Sequence, residues 1–168
     1  MKERMAAFLT LLVAGSLAIG ASDPTVPYPD GYRHWTFLHS SMVSSKYSAF
    51  GKRPCEKPCT AGIFYFYAND KAMNGLRNGS YDDGAIIAEE MLEFLGKENG
   101  GGKEGQRRMV GVMVRDSQRY SATGGWGYAT YEGESRTDNL AAADRNACFQ
   151  CHVPRKDHAY VFTEYHER

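Results

Sequence analysis

Apolar and polar positions divide the chain into a short N-terminal apolar run, a proline-broken connector and a longer part where apolar residues come in short bursts. Ile63-Phe64-Tyr65-Phe66-Tyr67 is compact and aromatic, bounded by Gly62 and Asn69-Asp70. Such a run suits a pleated, half-buried surface and predicts a strand inside a sheet. From Asp70 to Arg77, Ala72, Met73 and Leu76 fall at helical spacing between an Asn/Asp cap and Gly79, which predicts a short helix. Ala85 to Phe94 follows a turn at Asp82-Asp83-Gly84, and there Glu89 and Glu90 interrupt any simple alternation, so spacing alone leaves strand and helix open. Glu98 to Gly105 holds four glycines and no apolar residue and is expected to be a loop tip. Met109 to Val114 is a continuous apolar run of strand length, expected to be buried on both faces. Trp126, Tyr128 and Thr130 alternate with smaller residues and predict another strand. Leu140 to Cys151 is alanine-rich and predicts a helix capped by Asp138 or Asn139. The sum is an α+β domain: a mainly antiparallel sheet with short peripheral helices, the C-terminal one carrying two cysteines.

The chain's ends change this picture. Lys2 and Arg4 precede an uncharged apolar run from Met5 to about Ile19, too short to span a bilayer comfortably and followed by small residues around Gly20 and Ala21. Residues 1–20 therefore read as a signal peptide and the rest as periplasmic or secreted; an uncleaved anchor is the rival reading, but no charged stop-transfer cluster follows. Residues 21–30, with Pro24, Pro27 and Pro29, form a linker, and residues 31–168 one domain. The chain has 20 basic and 20 acidic groups, and the first twenty residues hold Lys2, Arg4 and Glu3, which leaves 18 against 19. No basic stripe stands out, which argues against nucleic acid and against an anionic membrane surface as partners of the processed chain.

Chemistry concentrates near the C-terminus. Cys148-Phe149-Gln150-Cys151-His152 has the C-x-x-C-H spacing that places two thiols where they can add to the two vinyl groups of one haem, with the adjacent histidine directed at the iron. A redox disulfide or a zinc site is the bland alternative; a zinc site needs a second Cys/His pair at finger-like spacing, which is missing from the sequence. Export favours covalent haem c, with His152 as the iron ligand. Cys55 and Cys59 form C-x3-C without a following histidine, and in an exported protein a disulfide is the simplest reading, against free thiols. Whether the haem carries electrons or binds ligands turns on its sixth position. His34, His39, His158, His166, Met42, Met73, Met91, Met109 and Met113 are the side chains able to fill it, and none stands out. Arg107, Arg108, Arg115 and Arg119 suit the haem propionates or simply flank strands in solvent.

From Gly31-Tyr32-Arg33-His34-Trp35 onward the chain resembles the cytochrome P-460 family, which includes the cytochromes c′-β. The resemblance rests on Phe66-Tyr67-Ala68-Asn69-Asp70, on Gly75 to Gly84, on Val110 to Tyr120, on Thr123-Gly124-Gly125-Trp126-Gly127-Tyr128, on Ala147 to His152 and on Asp157 to Thr163. It implies a largely antiparallel sheet, a strand after Gly84, frequent homodimers and a five-coordinate haem with an open distal side. In hydroxylamine-oxidising members a lysine cross-links to the haem edge; the corresponding position here is Glu89, which cannot supply the amine, so only another lysine such as Lys71 would make that bond. The resemblance thus implies a haem that binds nitric oxide or similar small nitrogenous ligands, with Phe64 and Phe66 lining an apolar pocket that gives bound oxygen no hydrogen-bond donor. The alternative is an oxidoreductase that oxidises hydroxylamine, or acts like a peroxidase, with Glu89, Glu90 or Asp144 as distal base and a soluble electron-transfer protein as acceptor. A plain electron carrier is the third reading.

Overall fold

The computed structural model describes residues 25–43, 62–96 and 101–166. The expected signal peptide and the pair Cys55 and Cys59 lie outside the described residues. Five strands form one antiparallel sheet in the order β1-β2-β3-β4-β5: β1 (Thr36–Val43), β2 (Gly62–Ala68), β3 (Ile86–Gly96), β4 (Gly102–Arg115) and β5 (Trp126–Glu132). Helix α1 (Asp70–Asn78) joins β2 to β3, and α2 (Ala142–His152) follows β5 and runs into 3-10 turns over Val153–His158. None of these helices is long and apolar enough to cross a membrane. The strand expected at β2 lies between β1 and β3, and the undecided segment after Gly84 is strand β3.

Alternation along the strands gives the sheet two unlike faces. On one, Ala88, Val110, Val112, Ala129 and Tyr131 pack against Val26, Tyr32 and Tyr120, with Tyr28 and Trp35 beside them. This N-terminal face recruits part of the expected linker: Val26 is buried, and its carbonyl accepts a hydrogen bond from the Tyr131 hydroxyl at 2.5 Å. On the other, Ala68, Ile87, Trp126 and Tyr128 pack against Ala72 and Met73 of α1, Cys148 and Phe149 of α2, and Val161 beyond it. This is the helical face.

Helix α1 forms where its caps predict. The Asn69 side chain accepts from the Ala72 amide at 2.9 Å and from the Ile86 amide at 3.0 Å, so one residue caps the helix and ties it to β3. Gly79, at φ 75°, closes it in the left-handed conformation. Helix α2 departs from expectation, because neither Asp138 nor Asn139 caps it; its N-cap is Ala141, with no side-chain cap. Asp138 instead accepts from the Leu140 amide at 3.0 Å and ion-pairs with Arg145 at 2.7 Å, joining the β5–α2 connection to the helix.

Two further expectations are corrected. Lys103, Glu104 and Gly105 belong to β4, where Lys103 and Glu104 pair with Leu95 and Phe94, so the stretch from Gly102 to Gly105 is strand, not loop. Backbone pairing does not require apolar side chains, and periodicity is blind to a polar hairpin tip. The run Met109 to Val114 is buried completely on one face only: Val110 and Val112 are buried, whereas Met109, Gly111 and Met113, which face the helices, are half-covered. The chain leaves part of the helical face open.

Candidate functional site

Helix α2 lies on that half-covered face. Cys148 and Cys151 are three residues apart and His152 is four beyond Cys148, so all three project from one side of the helix. Both cysteines are free thiols, Cys148 half-buried and Cys151 exposed. Burial pushes the Cys148 thiol pKa up, and Cys151 and Asp144 add to it. The helix is fastened to β5 by Arg145, which donates to the Tyr128 carbonyl while pairing with Asp138.

His152 is held in one tautomer. Its Nδ1 lies 2.6 Å from the carbonyl oxygen of Tyr160, and since a carbonyl only accepts, Nδ1 carries the proton and Nε2 keeps its lone pair for a metal. Burial lowers the His152 pKa, and the Tyr160 hydrogen bond opposes that shift. The ring packs against Tyr128 at 5.2 Å and Phe162 at 4.9 Å between centroids. Ala159 and Tyr160, which bring the carbonyl back to His152, sit at φ 52° and 66° and are the only non-glycine residues of positive φ among the described residues. Each such residue costs about 1–2 kcal/mol, so the surrounding contacts must impose the geometry.

The rest of the helical face supplies a wall. Phe66, Glu89, Gly111 and Thr130 are paired in one row across β2, β3, β4 and β5, with Phe64, Met91 and Met109 in the next row. Gly111 leaves the place beside Glu89 open: a Cβ there would come no nearer than 3.5 Å to any other side chain. A register shift in β1 turns Leu38 and His39 together toward this face, and His39 stacks on Phe66 at 4.4 Å. Burial lowers the His39 pKa. Burial alone pushes the Glu89 carboxyl up to about 7. This wall is therefore aromatic and aliphatic around Phe64 and Phe66, but with Glu89 and His39 among them it is not wholly apolar.

The other candidates are placed elsewhere. Glu90 points to the N-terminal face, where it is 2 % exposed and accepts from the Tyr32 hydroxyl at 2.8 Å and from Arg33. Asp144 is exposed in the first turn of α2. His34, His158 and His166 are exposed, Met42 lies on the edge strand and Met73 in the α1 core, whereas His39, Met91, Met109 and Met113 share the helical face. Lys71 donates to the Asp83 carbonyl at 2.8 Å. Each of the four arginines considered for the propionates has a protein partner: Arg107 binds Glu134 at 2.7 Å and reaches Tyr28 and Tyr32, Arg108 pairs with Glu93, Arg115 donates to Gly124 and Arg119 to the Thr25 carbonyl.

Trp126 and Tyr128 were expected only as strand residues and Tyr160 only as part of a motif, with no site role for any of the three. The Tyr128 hydroxyl is buried beside His152 with no hydrogen-bond partner among the described residues, and burial, with Cys148 nearby, raises its pKa. An orphaned hydroxyl there, two free thiols on one side of a helix and a histidine with its outer nitrogen available all fit a haem lying between α2 and the sheet. Cys148 and Cys151 would hold it through thioether bonds and His152 would ligate its iron.

Fold and site together define a covalent haem domain of the c type, built on a sheet instead of a helical bundle. The chain belongs to the cytochrome P460 family, whose model matches residues 29–163, and its cofactor is covalently bound haem c. No curated protein matches the chain.

Proposed function

We propose that this protein is an exported monohaem cytochrome that binds small nitrogenous ligands, nitric oxide foremost, between its haem and the helical face of the sheet. The observation that carries this reading is the wall on the helical face of the sheet, where Glu89 shares a row with Phe66 and the next row holds Phe64, Met91 and Met109. Bound haem supplies an iron that takes up small ligands and exchanges electrons. The aromatic wall keeps water away from that position, and nitric oxide needs no hydrogen-bond donor to bind well. Glu89 adds one adjustable group: protonated it donates a hydrogen bond, and ionised it accepts a proton.

That group also favours a second reading, oxidation of hydroxylamine. A base with a pKa near the working pH is suited to taking a proton from a bound N–H or O–H. The electrons would leave to a soluble electron-transfer protein. Periplasmic or secreted location, following removal of residues 1–20, and assembly as a homodimer belong to the same proposal.

Optical spectra of the purified holoprotein, oxidised and reduced, with nitric oxide or hydroxylamine titrated in, test it. A high-spin reduced spectrum that changes on adding nitric oxide is the expected result. Reduction of the oxidised haem by hydroxylamine, with turnover when an electron acceptor is supplied, would shift the conclusion to the oxidoreductase. A low-spin spectrum unmoved by either ligand would overturn both, and would assign one of His39, Met91, Met109 or Met113 to the sixth position of an electron carrier.

A further inference from the structure

Val153 to Val161 form a strap that follows α2. Its two left-handed residues, Ala159 and Tyr160, are held by three backbone hydrogen bonds: the Ala159 amide to the Lys156 carbonyl at 3.2 Å, the Tyr160 amide to Arg155 at 2.8 Å and the Val161 amide to His158 at 3.1 Å. Local bonds of this kind close a turn, but they do not anchor it to the sheet. That anchor is Trp126. Its indole N–H donates to the Ala159 carbonyl at 2.8 Å, and the side chain is fully buried on β5, against Tyr81 at 5.2 Å.

Two more features hold the Tyr160 side of the strap. Its ring occupies the space a Cβ on Gly124 would fill, and Gly124 is itself left-handed at φ 65°. The same ring lies 5.6 Å from Phe149 of α2. The chain of contact is thus continuous: β5 holds Trp126, Trp126 holds the Ala159 carbonyl, and the next carbonyl along, that of Tyr160, receives the Nδ1 proton of His152.

We propose that Trp126 and the left-handed pair Ala159-Tyr160 are positioning residues for His152, which fix the orientation of its ring and set how strongly it donates to the haem iron. A strong Nδ1–H···O=C bond makes the imidazole a better donor and stabilises oxidised iron; a slack one does the reverse. A carbonyl can serve this purpose only if the peptide carrying it cannot swing away, and a tie from the core of the sheet to the neighbouring peptide supplies that restraint. Left-handed alanine and tyrosine persist because the tie and the packed ring require them.

The test is resonance Raman spectroscopy of the reduced holoprotein, read at the iron–histidine stretch, with the midpoint potential measured alongside. Trp126→Phe keeps a smaller aromatic ring but loses the N–H, and is expected to lower the stretch and raise the potential. Ala159→Val cannot hold a left-handed backbone and is expected, like Trp126→Phe, to lower the stretch and raise the potential. Ala159→Gly holds that backbone without strain, so it should leave stretch and potential at their wild-type values while raising Tm. If Trp126→Phe and Ala159→Val both carry haem with wild-type stretch and potential, Trp126 is core filler and the proposal fails. Should Trp126→Phe not accumulate as holoprotein, the two Ala159 variants decide: different stretches support the proposal, identical ones overturn it.

Discussion

Glu89 and Glu90 are neighbours on β3 with the same side chain, and the pleat sends them to opposite faces of one sheet. Glu90 enters the N-terminal face and finds the Tyr32 hydroxyl and the Arg33 guanidinium, whose pKa it holds up. Glu89 enters the helical face among Phe66, Met109 and Gly111, with no opposing charge among the described residues, and burial pushes it up to about 7. One face satisfies its carboxylate and uses it as a fastening; the other buries its carboxyl among apolar side chains. A buried acid becomes chemistry where the fold withholds a partner.

The sharpest way to separate the faces is to remove the cofactor's anchors. Replacing Cys148 and Cys151 together by serine should abolish covalent haem, read as loss of haem staining after denaturing electrophoresis, since no other described cysteine is present to take its place. The N-terminal face contributes nothing to that attachment and should not rescue it.

Glu89→Gln comes next. A carboxyl whose pKa is raised from 4.5 to about 7 binds an extra proton in the folded state between those values. Its contribution to stability is therefore most favourable below about pH 4.5, declines as pH rises and is lowest above about pH 7. Compared with Glu89→Gln, which does not titrate, the wild type should lose up to about 3 kcal/mol between pH 5 and pH 8 in urea unfolding. Under the proposed function, the pH profile of nitric oxide binding should show an inflection near pH 7 in the wild type that is absent from Glu89→Gln. A variant that keeps that inflection would show that Glu89 is not the titrating group.

Glu90→Gln gives the contrasting result. Weakening a buried charge-assisted hydrogen-bond cluster should cost about 2 kcal/mol in the same unfolding experiment while leaving the inflection of ligand binding in place. If it moved the inflection as Glu89→Gln does, the two-face account would be wrong. The smallest effect is expected from Gly79→Ala. Nothing lies within 4 Å of a Cβ there, so only the left-handed φ of 75° opposes it, at about 1 kcal/mol and with no change in ligand binding.

Much of this molecule was legible beforehand where a local rule governs. Asn69 and Gly79 bound α1 because caps are decided within a few residues. The aromatic run Ile63 to Tyr67 became a strand, and Trp126 to Glu132 another. Rules of the same range failed where the deciding partner was distant. Asp138 was drawn away from capping by Arg145, Val26 left the linker for the Tyr131 hydroxyl, and the hairpin at Lys103 formed by backbone pairing that no apolar pattern reports. Strand β1 was also invisible, because its register shift turns consecutive residues, Leu38 and His39, to one face and erases the alternation.

By itself the sequence pointed to covalent haem c, since Cys148, Cys151 and His152 lie within five consecutive residues at the C-x-x-C-H spacing. It also determined the family and the class of fold, which rest on motifs and caps of short range. The tertiary structure alone decided which of two adjacent glutamates faces the helices, which carbonyl receives the His152 proton and which hydroxyl is left without a partner beside it. Those outcomes depend on strand register and on contacts between segments far apart in the chain, and a shift of one residue in the pairing would have exchanged the roles of Glu89 and Glu90.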